Sequence, residues 1–162
     1  MKVKEAVNGA LLLDGEVLEG AEEAFKEERY VEAFALIQAL IDWRMLNLYQ
    51  INEMNKGVPP LETHQVDWAE FYTHKRLVRE LEKREIISPK ESERFREFYD
   101  LRNMIVHRLV IYRYQPYAHN RVKREDAIRG FREGKVLVEL LRERNPESSG
   151  SGEGWAMTTG GG

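Results

Sequence analysis

The chain has no cysteine at any of its 162 positions. Disulfide bonds and thiolate zinc sites are therefore excluded, and a reducing compartment is the natural expectation. No apolar run approaches the roughly 20 residues that a membrane-spanning helix needs, and the first residues lack the hydrophobic core of a signal peptide. We therefore expect a cytoplasmic protein with no membrane association.

Motifs that identify common enzyme classes are also missing. The sequence holds no His-Glu-x-x-His run, no glycine-rich phosphate loop and no nucleophile elbow. His64, His74 and His119 do not have the spacing of metal ligands, either with one another or with a pair of acids. We expect neither a metal site nor a cofactor.

Acidic residues are absent between Leu101 and Arg124, although the formal net charge of the whole chain is −3. The basic residues in this stretch are Arg102, Arg108, Arg113, Arg121, Lys123 and Arg124. A local excess of positive charge in an acidic protein indicates an anionic ligand at this stretch. A solvated loop that is merely basic is the alternative interpretation.

Hydrophobic residues make up 42% of the chain and recur mostly at helical spacing, and alternating runs are absent. This pattern predicts an all-α fold, an antiparallel bundle of about five helices in a single domain over residues 1–146. Residues 147–162 are rich in Gly and Ser, which is typical of a flexible tail. The predicted helices run from about Gly15 to Glu28, Tyr30 to Asn52, Val66 to Arg84, Ser88-Pro89 onward, and Arg124 to Arg144.

The second predicted helix is apolar almost all round. Such a helix is either the central helix of a bundle or one face of an oligomer. Its few polar residues form a narrow line through Gln38, Asp42 and Tyr49. Trp43 in this helix, and Trp68 in the next, are more typical of core packing than of cofactor contacts.

The segment from Asp100 to His107 places an arginine, an amide and a histidine within two helical turns. Arg102 can bind a phosphate and stabilise charge on it, Asn103 can orient a reacting group, and His107 can move a proton near neutral pH. These are the groups that metal-free RNA cleavage needs. The alternative is a structural histidine beside an arginine in an ordinary ion pair, because this spacing is common.

Helical geometry separates these side chains. At about 100 degrees per residue, Arg102 lies about 40 degrees from Phe98, inside the predicted buried stripe. A guanidinium there is costly unless it meets an acid or lies in a wet cleft between subunits, and Asp42 is the acid partner that we expect. Asn103 and His107 are four residues apart and share the opposite face. One straight helix therefore does not bring Arg102 and His107 to one point, so they either line a groove or meet counterparts from a second copy.

The stretch after His107 interleaves aromatic residues with cations. Unpaired bases stack on tyrosine rings while arginines neutralise phosphates, so this stretch predicts a surface for single-stranded RNA. Tyrosines that pack on the bundle are the alternative. The candidate substrate-binding residues are Arg108, Tyr112, Arg113, Tyr114 and Arg121.

The run from Leu101 to His107 resembles the Arg-x4-6-His signature of HEPN domains, in the form with a polar residue directly after the arginine. The residues that lead to it are similar as well: Leu81, Ile86-Ile87-Ser88-Pro89, Phe95 and Phe98. Residues 30–49 are similar to the long second helix of that family. The resemblance covers roughly Gly15 to Arg144.

The resemblance implies a homodimer in which two copies of the motif face each other across a cleft, with Arg102, Asn103 and His107 contributed by both chains. It implies a metal-independent endoribonuclease that leaves 2',3'-cyclic phosphate ends, in many members the toxin of a toxin–antitoxin pair whose antitoxin is a nucleotidyltransferase. Members silenced by nucleotide transfer carry a tyrosine two positions after the histidine, where this chain has Leu109.

Two alternatives remain open at this point. Some HEPN-like proteins have lost catalysis, so the second expectation is a non-catalytic module that binds RNA, a nucleotide or a protein partner through the same groove. The third is a plain oligomerisation domain whose apolar second helix forms the interface.

Overall fold

The structure, a computed structural model, describes the backbone of residues 3–57, 73–114 and 122–145, and the side chains of residues 15–57, 73–110 and 122–145. Within these residues the fold is all-α, without strands, and the helices pack against one another as a bundle. The five helices are α1 (Val3–Lys26), α2 (Tyr30–Asn55), α3 (His74–Lys83), α4 (Pro89–Tyr114) and α5 (Arg124–Glu143).

Helix α2 is the central helix, because it contacts each of the other four. Its buried residues are Ala33, Phe34, Ile37, Leu40, Ile41, Met45, Leu46 and Leu48. Burying a large apolar side chain stabilises a fold by about 1.5–3 kcal/mol, so packing within one chain accounts for the apolar residues on the buried side of this helix. None of the helices in the described part of the chain is both long and apolar enough to span a membrane.

Two glycines of α5 allow close packing against α2 and α4. A Cβ atom at Gly134 would lie 2.6 Å from Cγ2 of Ile37 and 2.8 Å from Cε2 of Phe98. At Gly130 it would lie 3.1 Å from Cδ2 of Leu101. Because van der Waals contact between carbon atoms begins at about 3.5 Å, a larger residue at Gly134 would push the helices apart. These contacts determine how closely α5 packs against the part of α4 that precedes the candidate site.

Helices α1 and α3 both end with a glutamate in the left-handed region, at Glu28 (φ 60°) and Glu85 (φ 58°). At the end of α3 the backbone N–H of Glu85 donates to the carbonyl of Glu82, and that of Ile86 donates to the carbonyl of Leu81. This pair of bonds is a Schellman motif, in which glycine is the usual residue at the left-handed position. The chain reverses direction here without a glycine.

Arg84 ties the end of α3 to α2. Its Nε donates to Oε1 of Glu53 at 2.9 Å, its Nη1 donates to Glu80, and its guanidinium lies 4.6 Å from the centre of the Tyr49 ring. The side chains of Arg84 and Glu80 are only 16% and 23% exposed. The hydrogen bond from Arg84 lowers the pKa of the Glu80 carboxyl below its usual value.

The bounds of the helices differ from the predicted ones in two places. Helix α1 begins at Val3 rather than near Gly15, because the residues between them include only one further glycine, which costs a helix about 1 kcal/mol and does not end it. Helix α3 begins at His74, where the side chain of Thr73 accepts a hydrogen bond from the backbone of Arg76. The predicted start of this helix, including Trp68, lies outside the described residues.

The expectation that Trp43 belongs to the core is wrong, because its side chain is 48% exposed. On α2 it follows Ala35 and Ala39 at intervals of four residues, and both alanines are exposed as well. This line lies on the side of α2 that the other helices leave uncovered. Apolar identity alone did not reveal which side of an almost uniformly apolar helix would face solvent.

Candidate functional site

Helix α4 carries the motif and is well defined at its start. The backbone N–H of Glu91 donates to Oγ of Ser88 at 3.2 Å, and the backbone N–H of Ser88 donates to Oε2 of Glu91 at 2.7 Å. This reciprocal pair is a capping box, which satisfies two backbone donors at a helix start. Phe95, Phe98 and Ile105 are at most 1% exposed and hold one side of α4 in the core.

Arg102 lies partly buried on the core side of α4, as its position in the apolar stripe predicts. Its Nη1 donates a hydrogen bond of 2.8 Å to Oδ1 of Asn103. Its Nε is buried and has no hydrogen-bond partner within the described part of the chain. A buried donor without a partner costs about 1–3 kcal/mol, and this nitrogen is shielded from solvent while Arg102 keeps this conformation.

Asp42 is not the partner of Arg102, so that expectation is wrong. One oxygen of Asp42, Oδ1, accepts a hydrogen bond from Nδ1 of His74 at 2.9 Å, and the other accepts from Nε2 of Gln38 at 3.3 Å. The carboxylate on the polar line of α2 therefore faces the start of α3 instead of the middle of α4. Arg102 is left with a neutral acceptor.

Asn103 and His107 share one face of α4, as their spacing of four residues predicts. Asn103 is partly buried, whereas His107 is exposed and makes no hydrogen bond within the described residues. Val106 is partly buried and Val110 is 45% exposed, and both lie on the same side of the helix as this pair. An exposed apolar side chain thus lies one turn from the histidine.

The structure brings Arg102 and Asn103 together but leaves His107 further round the helix. Their positions on α4 place Arg102 and His107 about 140 degrees apart around its axis. The bond to Asn103 directs the guanidinium toward the face that carries His107. Within one chain an arginine–asparagine pair therefore lies on one side of α4 and an exposed imidazole on another.

The predicted substrate-binding residues are described in part. Arg108 is partly buried on α4. Tyr112, Arg113 and Tyr114 belong to the last turn of α4, so the predicted RNA-binding stretch begins inside the helix. Their side chains, and the whole of Arg121, lie outside the described residues. The RNA-binding surface at this stretch stays a prediction.

Sequence reasoning missed the role of His74, which is 5% exposed at the start of α3. A signal was present, because His74 occupies the first position of the spacing i, i+3, i+4, i+7 whose other members are Leu77, Val78 and Leu81. All three of these residues are buried. A histidine in register with such a stripe lies on the buried face of its helix and needs a polar partner there.

One groove in the described part of the chain is separate from the motif. A groove of about 1030 Å³ between α4 and α5 has Phe98 and Leu101 among its apolar lining residues, and none of the three motif residues lines it. Among the described residues, no group of three or more His, Asp or Glu side chains has an arrangement that could hold a metal ion.

Comparison with protein families, with characterised proteins and with solved structures gives no match to this chain.

Proposed function

We propose that the chain is a dimeric HEPN-type ribonuclease that binds RNA and cleaves it without a metal ion, using Arg102, Asn103 and His107 of both copies. The observation that carries the proposal is the placement of Arg102. Its guanidinium bonds to a neutral amide instead of a carboxylate and is directed toward the face of His107. The type of reaction is inferred from the resemblance of the motif to the HEPN signature.

The reaction is a transesterification within RNA. The ribose 2'-oxygen attacks the adjacent phosphorus while the bond from phosphorus to the 5'-oxygen breaks, which leaves a 2',3'-cyclic phosphate and a 5'-hydroxyl. His107 of one copy accepts the proton of the 2'-hydroxyl, and His107 of the other copy donates a proton to the leaving oxygen. Arg102 binds the phosphate and stabilises the negative charge that builds on its oxygens.

The geometry of α4 supports the proposal that a second copy takes part. Arg102 and His107 lie about 140 degrees apart around one helix. A phosphate bound by Arg102 is therefore reached more easily by His107 of a second copy than by His107 of the same chain. Val110, which is 45% exposed, offers apolar surface for a second copy beside the histidine. In a dimer with a two-fold axis, this patch of α4 on one copy would pack against the same patch on the other copy.

RNA cleavage in the presence of EDTA tests the proposal. The full chain is incubated with a single-stranded RNA labelled at its 5' end, and the ends of the products are identified by mass spectrometry. We expect 2',3'-cyclic phosphate ends from the wild type and a loss of at least about 100-fold in rate for His107→Ala. His107 is exposed, so this variant should keep its fold, which circular dichroism verifies. Equal cleavage by both proteins would refute the assignment.

A matched pair of valine substitutions tests the role of the second copy. Val110→Asp places a charge beside the motif, whereas Val136→Asp places one on α5 at a valine that is equally exposed (45% and 48%). We expect Val110→Asp to yield a monomer by light scattering and to lose cleavage, and Val136→Asp to keep both. A monomeric wild type that cleaves RNA would rule out the composite site.

A non-catalytic RNA-binding module is the second candidate, and one observation favours it. His107 has no hydrogen-bond partner among the described residues, whereas a catalytic histidine is commonly oriented by a third group. In this case Arg102 and Arg108 would bind RNA phosphates and no bond would break. RNA that binds to both the wild type and His107→Ala, and stays intact with both, would identify the module.

A further inference from the structure

The buried imidazole of His74 joins three helices. Its Nδ1 donates to Oδ1 of Asp42 on α2 at 2.9 Å, because a carboxylate can only accept. Its Nε2 lies 3.4 Å from the carbonyl oxygen of Phe95 on α4. Its ring stacks on that of Tyr99, also on α4, with the centres 4.3 Å apart and the planes 14 degrees apart. One side chain of α3 thus contacts both ends of a single turn of α4.

That turn leads directly into the candidate site. Tyr99 precedes Arg102 by three residues and Asn103 by four, so its ring is on the side of α4 toward which both of them project. Phe95 lies one turn earlier and is fully buried. The contacts of His74 are therefore made to the turn before the motif, on the same side of the helix.

His74 is not itself placed for acid–base catalysis. It is 5% exposed, and one ring nitrogen is bonded to Asp42 while the other faces a backbone carbonyl. A substrate hydroxyl would have to displace one of these contacts in the interior of the bundle. The available role is to hold α4 in place.

We propose that Asp42 and His74 are positioning residues for Arg102: Asp42 orients the imidazole, and the imidazole sets the rotation of α4 about its own axis. The consequence for catalysis rests on the proposed function, whereas the positioning itself rests on the contacts of His74. Apolar packing of Phe95 and Phe98 is not directional, so it resists rotation of the helix less than the ring stack on Tyr99 does, and the bond to Asp42 fixes the orientation of the stacked imidazole.

Small rotations matter at this site. Side-chain atoms extend to about 6 Å from a helix axis, so a rotation of about 10 degrees moves them by about 1 Å. A misplacement of this size can lower a reaction rate by about 100-fold. Arg102 is sensitive to it because, among the described residues, its guanidinium is held by a single hydrogen bond, to its neighbour on the same helix.

The test uses the full chain and three variants. His74→Phe keeps a ring that can stack on Tyr99 but removes both polar contacts, and Asp42→Ala removes the carboxylate. Asp42→Asn is the conservative variant, since the oxygen of its amide can still accept from Nδ1 of His74. The matched control is Glu53→Gln, which weakens the bond of α2 to Arg84 at a site away from Asp42.

Two measurements compare these variants with the wild type. The nitrogen–proton NMR signal of Nε in Arg102 reports the position of the guanidinium. The values of kcat and KM for RNA report the effect of that position on cleavage.

We expect His74→Phe and Asp42→Ala to shift or broaden the Arg102 signal and to lower kcat by about 10- to 100-fold, with KM nearly unchanged. Asp42→Asn should restore most of the wild-type signal and rate, and Glu53→Gln should leave the signal in place. An unchanged Arg102 signal in His74→Phe, or an equal change in Glu53→Gln, would overturn the proposal. If the wild type does not cleave RNA, the proposed function fails, and the NMR signal alone decides the positioning role.

Discussion

Arg102 donates its Nη1 hydrogen bond to Oδ1 of Asn103, its immediate neighbour on α4, at 2.8 Å. The acceptor is a neutral amide, and Arg102 forms no ion pair with a carboxylate within the described residues. The bond therefore restrains the guanidinium without compensating its charge. A positive charge held in this way is suited to an anionic ligand such as an RNA phosphate.

Asn103→Asp should separate the structural role of this bond from its role in binding. The carboxylate would pair with Arg102 and neutralise it, so RNA affinity should fall while stability stays the same or rises slightly. We expect the slope of log K against log salt to become less negative by about 0.7 for each RNA phosphate that the variant no longer binds. Fluorescence anisotropy with single-stranded RNA at several salt concentrations measures both quantities.

The control for added charge is Ala35→Asp, which places the same carboxylate on the exposed side of α2. If both variants weaken RNA binding equally, the effect is one of net charge and Arg102 does not contact the phosphate.

Gly134→Ala should destabilise the protein. The added Cβ would lie 2.6 Å from Ile37 and 2.8 Å from Phe98, which forces the helices apart. Overpacking of this kind costs about 1–3 kcal/mol, and the better helix propensity of alanine offsets about 1 kcal/mol of that cost. Gly20→Ala is the control, because its Cβ would meet only Leu36 at 3.8 Å and the variant should gain up to about 1 kcal/mol. Urea denaturation gives the free energy of unfolding of both, and a stabilised Gly134→Ala would contradict the packing.

Glu85→Gly should stabilise the protein although it removes a side chain. Glu85 has φ 58° at the end of α3, a conformation that costs a residue with a Cβ about 1 kcal/mol and costs glycine almost nothing. Glu85→Ala removes the same carboxylate but keeps the Cβ, so the difference between the two variants isolates the backbone effect. Thermal unfolding should place Glu85→Gly above Glu85→Ala, and the opposite order would argue against the left-handed conformation.

Stability should decrease in acid through Glu80. The hydrogen bond from Arg84 lowers the pKa of Glu80 in the folded state, so folding favours the carboxylate. Its contribution is complete above the unfolded-state pKa, near the ordinary value of 4.5, and is lost as the pH falls through the lower folded-state pKa. We expect Glu80 to contribute about 1 kcal/mol to the free energy of unfolding at pH 6. The measurement compares the free energy of unfolding at pH 6 and pH 3, and the decrease in Glu80→Gln should be smaller than in the wild type by this amount. An identical pH dependence in that variant would assign the acid sensitivity to other carboxyl groups.

Much of the helical architecture was readable from local pattern. The all-round apolar character of α2 predicted either the central helix of a bundle or one face of an oligomer, and its contacts with the other four described helices confirm the central position. The pair of Ser88 and Pro89 predicted the start of α4, which is confirmed as well. The helical period also placed Arg102 on the core side of α4, where the structure has it partly buried. Each of these inferences depends on residues close together in the chain, where helical geometry fixes their relative directions.

The partners of the polar side chains depend on how helices cross, which no local pattern contains. Asp42 and Arg102 both lie on the inner sides of their helices, yet Asp42 bonds to His74, because the start of α3 lies between α2 and α4 at that level. Trp43 is exposed for a similar reason, since the helices around α2 leave one side of it open. The sequence alone determined which way each side chain points from its own helix, and the tertiary structure decided which side chain it meets. Crossing angles are set by packing summed over distant residues, for example where Gly134 lets α5 approach Ile37 and Phe98.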